Sequence, residues 1–299
     1  MRRALPILLF LLAPLPVAAS APPVVATIKP LHSLVALVME GVGEPRLLIA
    51  AGSPHGYSLK PSEARALSEA QVVFRVSDQL ETFLDKPLKN LAGRAVVVEM
   101  AEAPGVQLLP PREGGLWETH ADEHGERHDT HLWLDPANAL AFLDAAAAAL
   151  ERVDPPNAAT YRANAGAAKR RIAALDAEIA ARLAPLAKRP FLVFHDAYQY
   201  FERRYGLAAA GSVTIDPERS PGAKRIVALR ERLARHDVAC VFREPQFSPK
   251  AIATIVEGTA VAVGELDDLG TALPPGPHHY EATLRAMADS VAACLGARP

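Results

Sequence analysis

Along most of the chain, short apolar and β-branched runs alternate with amphipathic stretches. Residues 24–28 predict a strand and residues 30–39 a helix. Residues 46–51 predict a second strand, followed by a loop and a helix opened by Pro61. Proline is tolerated in a first helical turn, because the N–H it lacks has no intrahelical partner there. Residues 71–76 and 95–99 predict two more strands, with 79–91 helical between them. This is the βαβ rhythm of a parallel sheet covered by helices.

Residues 105–130 break that rhythm: rich in Pro, Gly, acid and His, they predict a long mobile loop. Asp135-Pro136 then caps a helix running to about residue 152. Residues 156–187 predict one amphipathic helix of roughly 30 residues, or ~45 Å, too long for a routine crossover and suited to joining two lobes. Beyond Pro190, strands are predicted at 191–194, 238–242 and 259–263, and helices at 223–235, 248–257 and 280–295. Ser248-Pro249 reads as an N-cap followed by proline at the first helical position. The expected division is a leader at 1–19, an N-terminal lobe at 20–155 that includes a His/acid-rich loop at 112–130, a linking helix at 156–187 and a C-terminal lobe at 188–299. In such α/β folds ligands bind beyond the carboxyl ends of the strands, here in the cleft between lobes.

The first residues change the picture of where this fold operates. Arg2 and Arg3 precede an apolar run broken by Pro6 and Pro14, then the small residues Val17-Ala18-Ala19, the pattern of a cleavable export signal. The run is too short and proline-rich to span ~20 residues of bilayer core. With no cysteine near the cleavage region, a soluble periplasmic protein is expected over a lipid-anchored one. A net charge of −2 argues against nucleic acid or an anionic membrane surface as partner. The two cysteines, Cys240 and Cys294, predict a disulfide in an exported chain, tying the strand at 238–242 to the C-terminal helix.

Candidate chemistry rests on the ten histidines. His55 follows the strand at 46–51, His195 stands at the end of the strand at 191–194, and His131 precedes a capped helix. Three imidazoles with one carboxylate or water suit Zn²⁺, which favours tetrahedral sites and nitrogen donors. Asp267, soon after the strand at 259–263, can face the same cleft. Each histidine also has a plain structural reading: His55 as a turn residue, His131 as a hydrogen bonder at a helix start, His195 as a satisfied core histidine. Spacing does not decide between these, because the three lie far apart and no HExxH or CxxC pattern is present. His278 and His279 read as surface residues at the start of a helix, and His32 and His236 likewise are not assigned to metal.

Several motifs occur in order: Thr27-Ile28-Lys29-Pro30-Leu31, His55-Gly56-Tyr57-Ser58-Leu59, His131-Leu132-Trp133-Leu134, Phe194-His195-Asp196-Ala197-Tyr198, Glu244-Pro245-Gln246-Phe247 and Leu266-Asp267-Asp268-Leu269-Gly270-Thr271. Together they closely resemble the cluster A-I solute-binding proteins of ABC transporters, in the ZnuA-type zinc-uptake branch, over essentially the whole mature chain. The resemblance implies two βα lobes bridged by a rigid long helix, with zinc in the interlobe cleft. It places the metal-binding histidines on His55, His131 and His195 and the second-lobe carboxylate on Asp267, and it supports the Cys240–Cys294 pair. Manganese-binding relatives usually carry glutamate where this chain has His195. Some zinc-branch members flank the first histidine with acids; Pro54 and Gly56 stand there instead, leaving Asp267 or a water as fourth ligand.

The resemblance thus implies binding of Zn²⁺ and its delivery by a monomer to an ABC permease in the inner membrane, with no small organic substrate and no catalysis. His120, His124 and His128, in the acid-rich loop, are expected to make weak, exchangeable metal contacts. Rival readings are a zinc hydrolase on the same histidines, with Glu244 as general base, and a manganese-binding or adhesive surface protein.

Overall fold

The computed structural model describes residues 21–117, 128–214, 217–235 and 238–296. The chain runs β1 Val24–Ala26, α1 Lys29–Met39, β2 Arg46–Leu47, α2 Pro61–Glu69, β3 Val72–Arg75, α3 Asp85–Leu91 and β4 Val96–Glu99. Two long helices follow, α4 Pro136–Val153 and α5 Ala158–Leu183. The remainder is β5 Pro190–Val193, α6 Gln199–Tyr205, β6 Ala208–Ser212, α7 Ala223–Ala234, β7 Cys240–Arg243, α8 Lys250–Val256, β8 Ala262–Glu265 and α9 His279–Gly296. The strands form two sheets, ordered β2-β1-β3-β4 and β6-β5-β7-β8. Every pairing is parallel. Both sheets therefore change winding direction at the same place, between β1 and β3 and between β5 and β7. That is where an open parallel sheet leaves a crevice at its carboxyl edge.

Three helices hold the two sheets as one body. Helix α1 is buried from Pro30 to Met39, as expected of a helix apolar all round, and packs on α4, α5 and α9. Helix α5 buries Tyr161, Ala165, Ala168, Ile172, Leu175, Ile179 and Leu183, a stripe at alternating spacings of three and four over most of its length. That stripe lies against α1 and α4 on the first-sheet side and against α6 and α9 on the second. Helix α9 returns from the second lobe to the first: Tyr280 N–H donates to Ser33 Oγ at 2.9 Å, and the Tyr280 hydroxyl to the Trp133 carbonyl at 2.8 Å. One hydrophobic core consequently runs from Val24 to Leu295 through both lobes. The Asp135 carboxylate caps α4 by accepting from Ala137 N–H at 2.8 Å.

Several elements differ from the expectations. The strand at 46–51 is regular only over Arg46–Leu47, although Leu48 and Ile49 N–H still donate to the Ala26 and Thr27 carbonyls, and the helix at 79–91 is a 3-10 turn, Thr82–Leu84, leading into α3. The linking helix covers 26 residues, stopping short of 187 where a 3-10 turn, Ala184–Leu186, takes over. The strand expected at 259–263 lies at Ala262–Glu265, and Pro249 itself occupies the cap position of α8. Strand β6, Ala-Ala-Ala-Gly-Ser, escapes detection because alanine and glycine carry little β preference; pairing with β5 makes it a strand. Residues 105–117 cross between the lobes instead of standing away in solvent, and His128, Asp129 and Thr130 are buried.

Cys240 in β7 and Cys294 in α9 form a disulfide with Cα atoms 6.0 Å apart. It closes a loop across a sequence separation of 54. Reducing it, or substituting Cys240→Ala with Cys294→Ala, lowers unfolding stability by about 2–4 kcal/mol, measured by denaturant melts with and without reductant; identical melts would show the crosslink to be energetically idle.

Candidate metal centre

Strand β5 ends at Val193, and two residues later His195 stands at the crevice of the second sheet. Its neighbour β7 ends at Arg243, so Glu244 emerges beside it. Parallel pairing thereby fixes the contact: both Glu244 oxygens lie within 2.8 Å of His195 Nδ1. From the first lobe, His131 caps a 3-10 turn, Leu132–Leu134, ahead of α4. Its Nδ1 lies 2.8 Å from Asp129 Oδ1, which also accepts the His131 backbone N–H. With Nδ1–H directed at a carboxylate, each ring turns its Nε2 away from it, the usual orientation of a metal-binding imidazole. The two Nε2 atoms face each other at 3.3 Å.

His55 completes the group from the loop between β2 and α2, its backbone N–H donating to Ser53 Oγ at 3.2 Å. The ring centroids stand 5.4 Å (His55–His131), 5.7 Å (His55–His195) and 5.2 Å (His131–His195) apart. One nitrogen from each ring lies within 4.8 Å of the others, and among the described residues no other histidine, cysteine or carboxylate group forms such a cluster. His131 and His195 are buried while His55 keeps an exposed edge. Two ligands of one tetrahedral Zn²⁺, each at ~2.0–2.1 Å, stand about 3.3–3.4 Å apart, which the Nε2–Nε2 separation matches.

Asp267 does not join this cluster. Its Oδ2 accepts from Thr271 N–H at 2.6 Å and from the Thr271 hydroxyl at 2.7 Å, while Oδ1 accepts from Leu269 N–H at 3.2 Å and Gln246 Nε2 at 3.1 Å. Both oxygens therefore hold the loop that Asp267 opens. His128 is buried with Nδ1 2.8 Å from Gln79 Nε2, a core contact where a solvated loop was expected. His120 and His124 lie outside the described residues, as does His236. His279 corrects the surface reading: it is buried, with ring nitrogens 3.0 Å from the Pro274 carbonyl and 2.8 Å from that of Leu269. Glu244 is no general base. Its buried carboxylate sits behind His195, on the far side of the ring from the nitrogen that faces the cluster.

Sequence reasoning missed the carboxylates behind the rings, Asp129 and Glu244, and the buried Asp268, which accepts from Gln246 Nε2 at 2.9 Å. Asp129 stands two residues before His131, a spacing that carries a weak signal; Glu244 was visible only as part of a motif. Glu218, from the loop after β6, lies over Gly56, its Cγ 3.5 Å from where a Cβ would stand. An acidic side chain from the opposite lobe thus lies beside the acid-free flank of His55.

The matching family is described as "ZnuA: Zinc-uptake complex component A periplasmic", over residues 24–294. The chain belongs to this family. It is 42% identical over 306 residues to the high-affinity zinc uptake system protein ZnuA of Brucella abortus (strain 2308), covering 91% of each chain. Among solved structures, a ZnuA crystal structure aligns with TM-score 0.77 at 25% identity over 92% of this chain and 99% of its own. A ZnuA variant with an internal deletion, crystallised with zinc bound, aligns with TM-score 0.76 at 25% identity over 93% and 100%. ZnuA proteins are transport components, consistent with a Glu244 whose carboxylate is engaged by His195 Nδ1.

Charge in this ZnuA-family site sets a pH dependence. Burial and the neighbouring rings hold His55 and His131 well below the ordinary imidazole value. Burial works the same way on His195, but the Glu244 carboxylate overrides it and raises the ring to about 9. Asp129 and Asp268, deep in the protein, are pushed up to about 7. A metal on Nε2 must displace the proton of His195. Affinity for Zn²⁺ therefore rises by about tenfold per pH unit between about 7 and about 9, more steeply below 7, and levels off above 9. Glu244→Gln moves the plateau to lower pH and weakens binding by about 10–100-fold. Chelator-competition titrations across pH check both; an affinity flat from pH 7 to 9 would sink this assignment of the proton.

Proposed function

We propose that this chain binds Zn²⁺ with high affinity through Nε2 of His131 and His195 and a ring nitrogen of His55, and delivers it to an ABC-type permease in the inner membrane. The observation that carries the reading is the 3.3 Å separation of two Nε2 atoms from different lobes, each backed by a carboxylate. Three nitrogen donors suit zinc, whereas manganese favours harder oxygen-rich sets. The fourth position falls to a solvent molecule, because Asp267 is engaged by its own loop. Export by a leader at residues 1–19, action as a monomer and transient metal contacts by His120 and His124 belong to the same proposal.

Calorimetric titration of the mature protein with Zn²⁺ and Mn²⁺ tests it. One tight zinc site is expected, weakened by at least about 100-fold in each of His55→Ala, His131→Ala and His195→Ala, beyond the effect of losing a supporting residue. Asp267→Ala weakens it by less than any of these. Unchanged binding in the His195 variant would overturn the three-histidine site.

A further inference from the structure

Residues 105–117 form a strap between the lobes. At its start, Asn138 exchanges two hydrogen bonds with the Gln107 backbone, at 2.8 and 3.1 Å. Next, the Leu109 carbonyl accepts from Asp129 N–H at 2.8 Å. Leu109 N–H donates to the Tyr200 hydroxyl of the second lobe at 3.0 Å, and that hydroxyl donates onward to the Asp129 carbonyl at 3.0 Å. The residue behind His131 is thus tied to the strap and to α6 at once.

Three residues further on, Arg112 reaches the support of His195. Its Nε lies 2.9 and 3.1 Å from the two Asp196 oxygens. Its terminal nitrogens bond both Glu202 oxygens, at 2.9 and 3.0 Å, and Nη2 also bonds Asp196. The guanidinium carbon sits 3.6 Å from the centroid of the Trp117 ring. Asp196 follows His195 directly, and Glu202 is buried in α6, where it accepts Ala209 N–H from β6 at 3.2 Å. Beyond Arg112, Arg225 fastens the strap's end by donating to the Leu116 carbonyl at 2.6 Å and to the Ser212 carbonyl at 2.8 Å. Gly211, at φ +150°, admits Leu116 where any Cβ would collide with it.

We infer that Arg112 is a positioning residue for the metal site: through Asp196 and Glu202 it fixes the His195 turn against the strap that holds Asp129 and His131. A lysine cannot replace it fully, because its point charge lacks the planar fork that engages two carboxylates at once. Without the guanidinium, two close and poorly hydrated carboxylates repel each other, and the turn that carries His195 moves away from His131. Release requires the ion to part from His195 as well as from the looser His55, so a displaced His195 turn raises the dissociation rate most and changes the association rate little.

This inference rests on the three-histidine site proposed above, and the two are separable by experiment. Zinc association and dissociation are followed by stopped flow with a fluorescent chelator, and coordination by the visible absorption of the Co²⁺-loaded protein. The set is wild type, His195→Ala, Arg112→Ala, Arg112→Lys and Trp117→Ala, with the metal-free melting curve of each. Arg112→Ala is expected to raise the dissociation rate by about 10–100-fold, to leave association within about threefold, and to alter the Co²⁺ spectrum. Arg112→Lys falls between it and wild type. Should Arg112→Ala fail to fold, Trp117→Ala, which removes the stacking face but keeps the charge, gives the same changes on a smaller scale. Wild-type dissociation and an unchanged Co²⁺ spectrum in the Arg112 variants, or in Trp117→Ala where Arg112→Ala does not fold, would overturn the inference even if their melting points fall. Retained tight binding in His195→Ala would overturn the site reading instead.

Discussion

Two imidazole nitrogens, one from each lobe and 64 residues apart in sequence, face each other at 3.3 Å. That distance is the constraint on which the architecture depends. Dispersion and hydrogen-bond geometry within a single lobe cannot maintain it; the lobes themselves must not drift. The continuous core through α1, α5 and α9 meets this need, since close-packed interiors resist small displacements. Polar ties add direction on both flanks of the cleft. Lys29 donates to the carbonyls of Thr271 and Leu273 at 2.7 and 3.0 Å, and Trp133 Nε1 to the Asp268 carbonyl at 2.8 Å. Across the site, the strap carrying Arg112 does the same for the His195 turn.

The same geometry settles the electrostatics. A dication placed among neutral imidazoles in a buried site needs compensating charge nearby. Asp129 and Glu244 supply it at one remove, through Nδ1–H groups that transmit negative charge without occupying the ion's own coordination positions. When the ion is absent, this negative charge still needs a partner, and a proton on His195 takes the role, shared toward His131 Nε2. Proton and metal compete for one small space, which makes the bound state depend on pH without any conformational change.

The fold was legible in the sequence wherever an apolar run had both length and β-branched character, as at residues 71–76 and 95–99. It was illegible at β6, where alanines and a glycine form a strand only because β5 offers an edge. The site was half legible. Nothing in the spacing of His55, His131 and His195 separates them from His32 or His279, both buried and each held by a backbone carbonyl; only family motifs did so. Asp267 was expected to face the cleft because it follows a strand; here its two oxygens accept hydrogen bonds that organise residues 267–271. The strap was read as a loop because proline and glycine erase periodicity, and the groups that anchor it, the Arg112 guanidinium and the Leu116 carbonyl, find hydrogen-bond partners 84 or more residues away.

The three clustered histidines are not equivalent, and their difference separates a carrier from a catalyst. His131 and His195 are buried, locked by carboxylates and set in place by a capped turn and a strand pair. His55 stands in a loop, partly exposed, and among the described residues its ring has no hydrogen-bonded carboxylate behind it. A catalytic zinc site keeps a coordination position open beside a base that activates water; here the base-like Glu244 is turned away and spent on orientation. What remains open is the side of the least constrained ligand, where Glu218 of the other lobe lies over Gly56. An ion held by two rigid donors and one adjustable donor can be bound tightly and still leave in steps, because the first bond to break is the one whose ligand is free to swing aside.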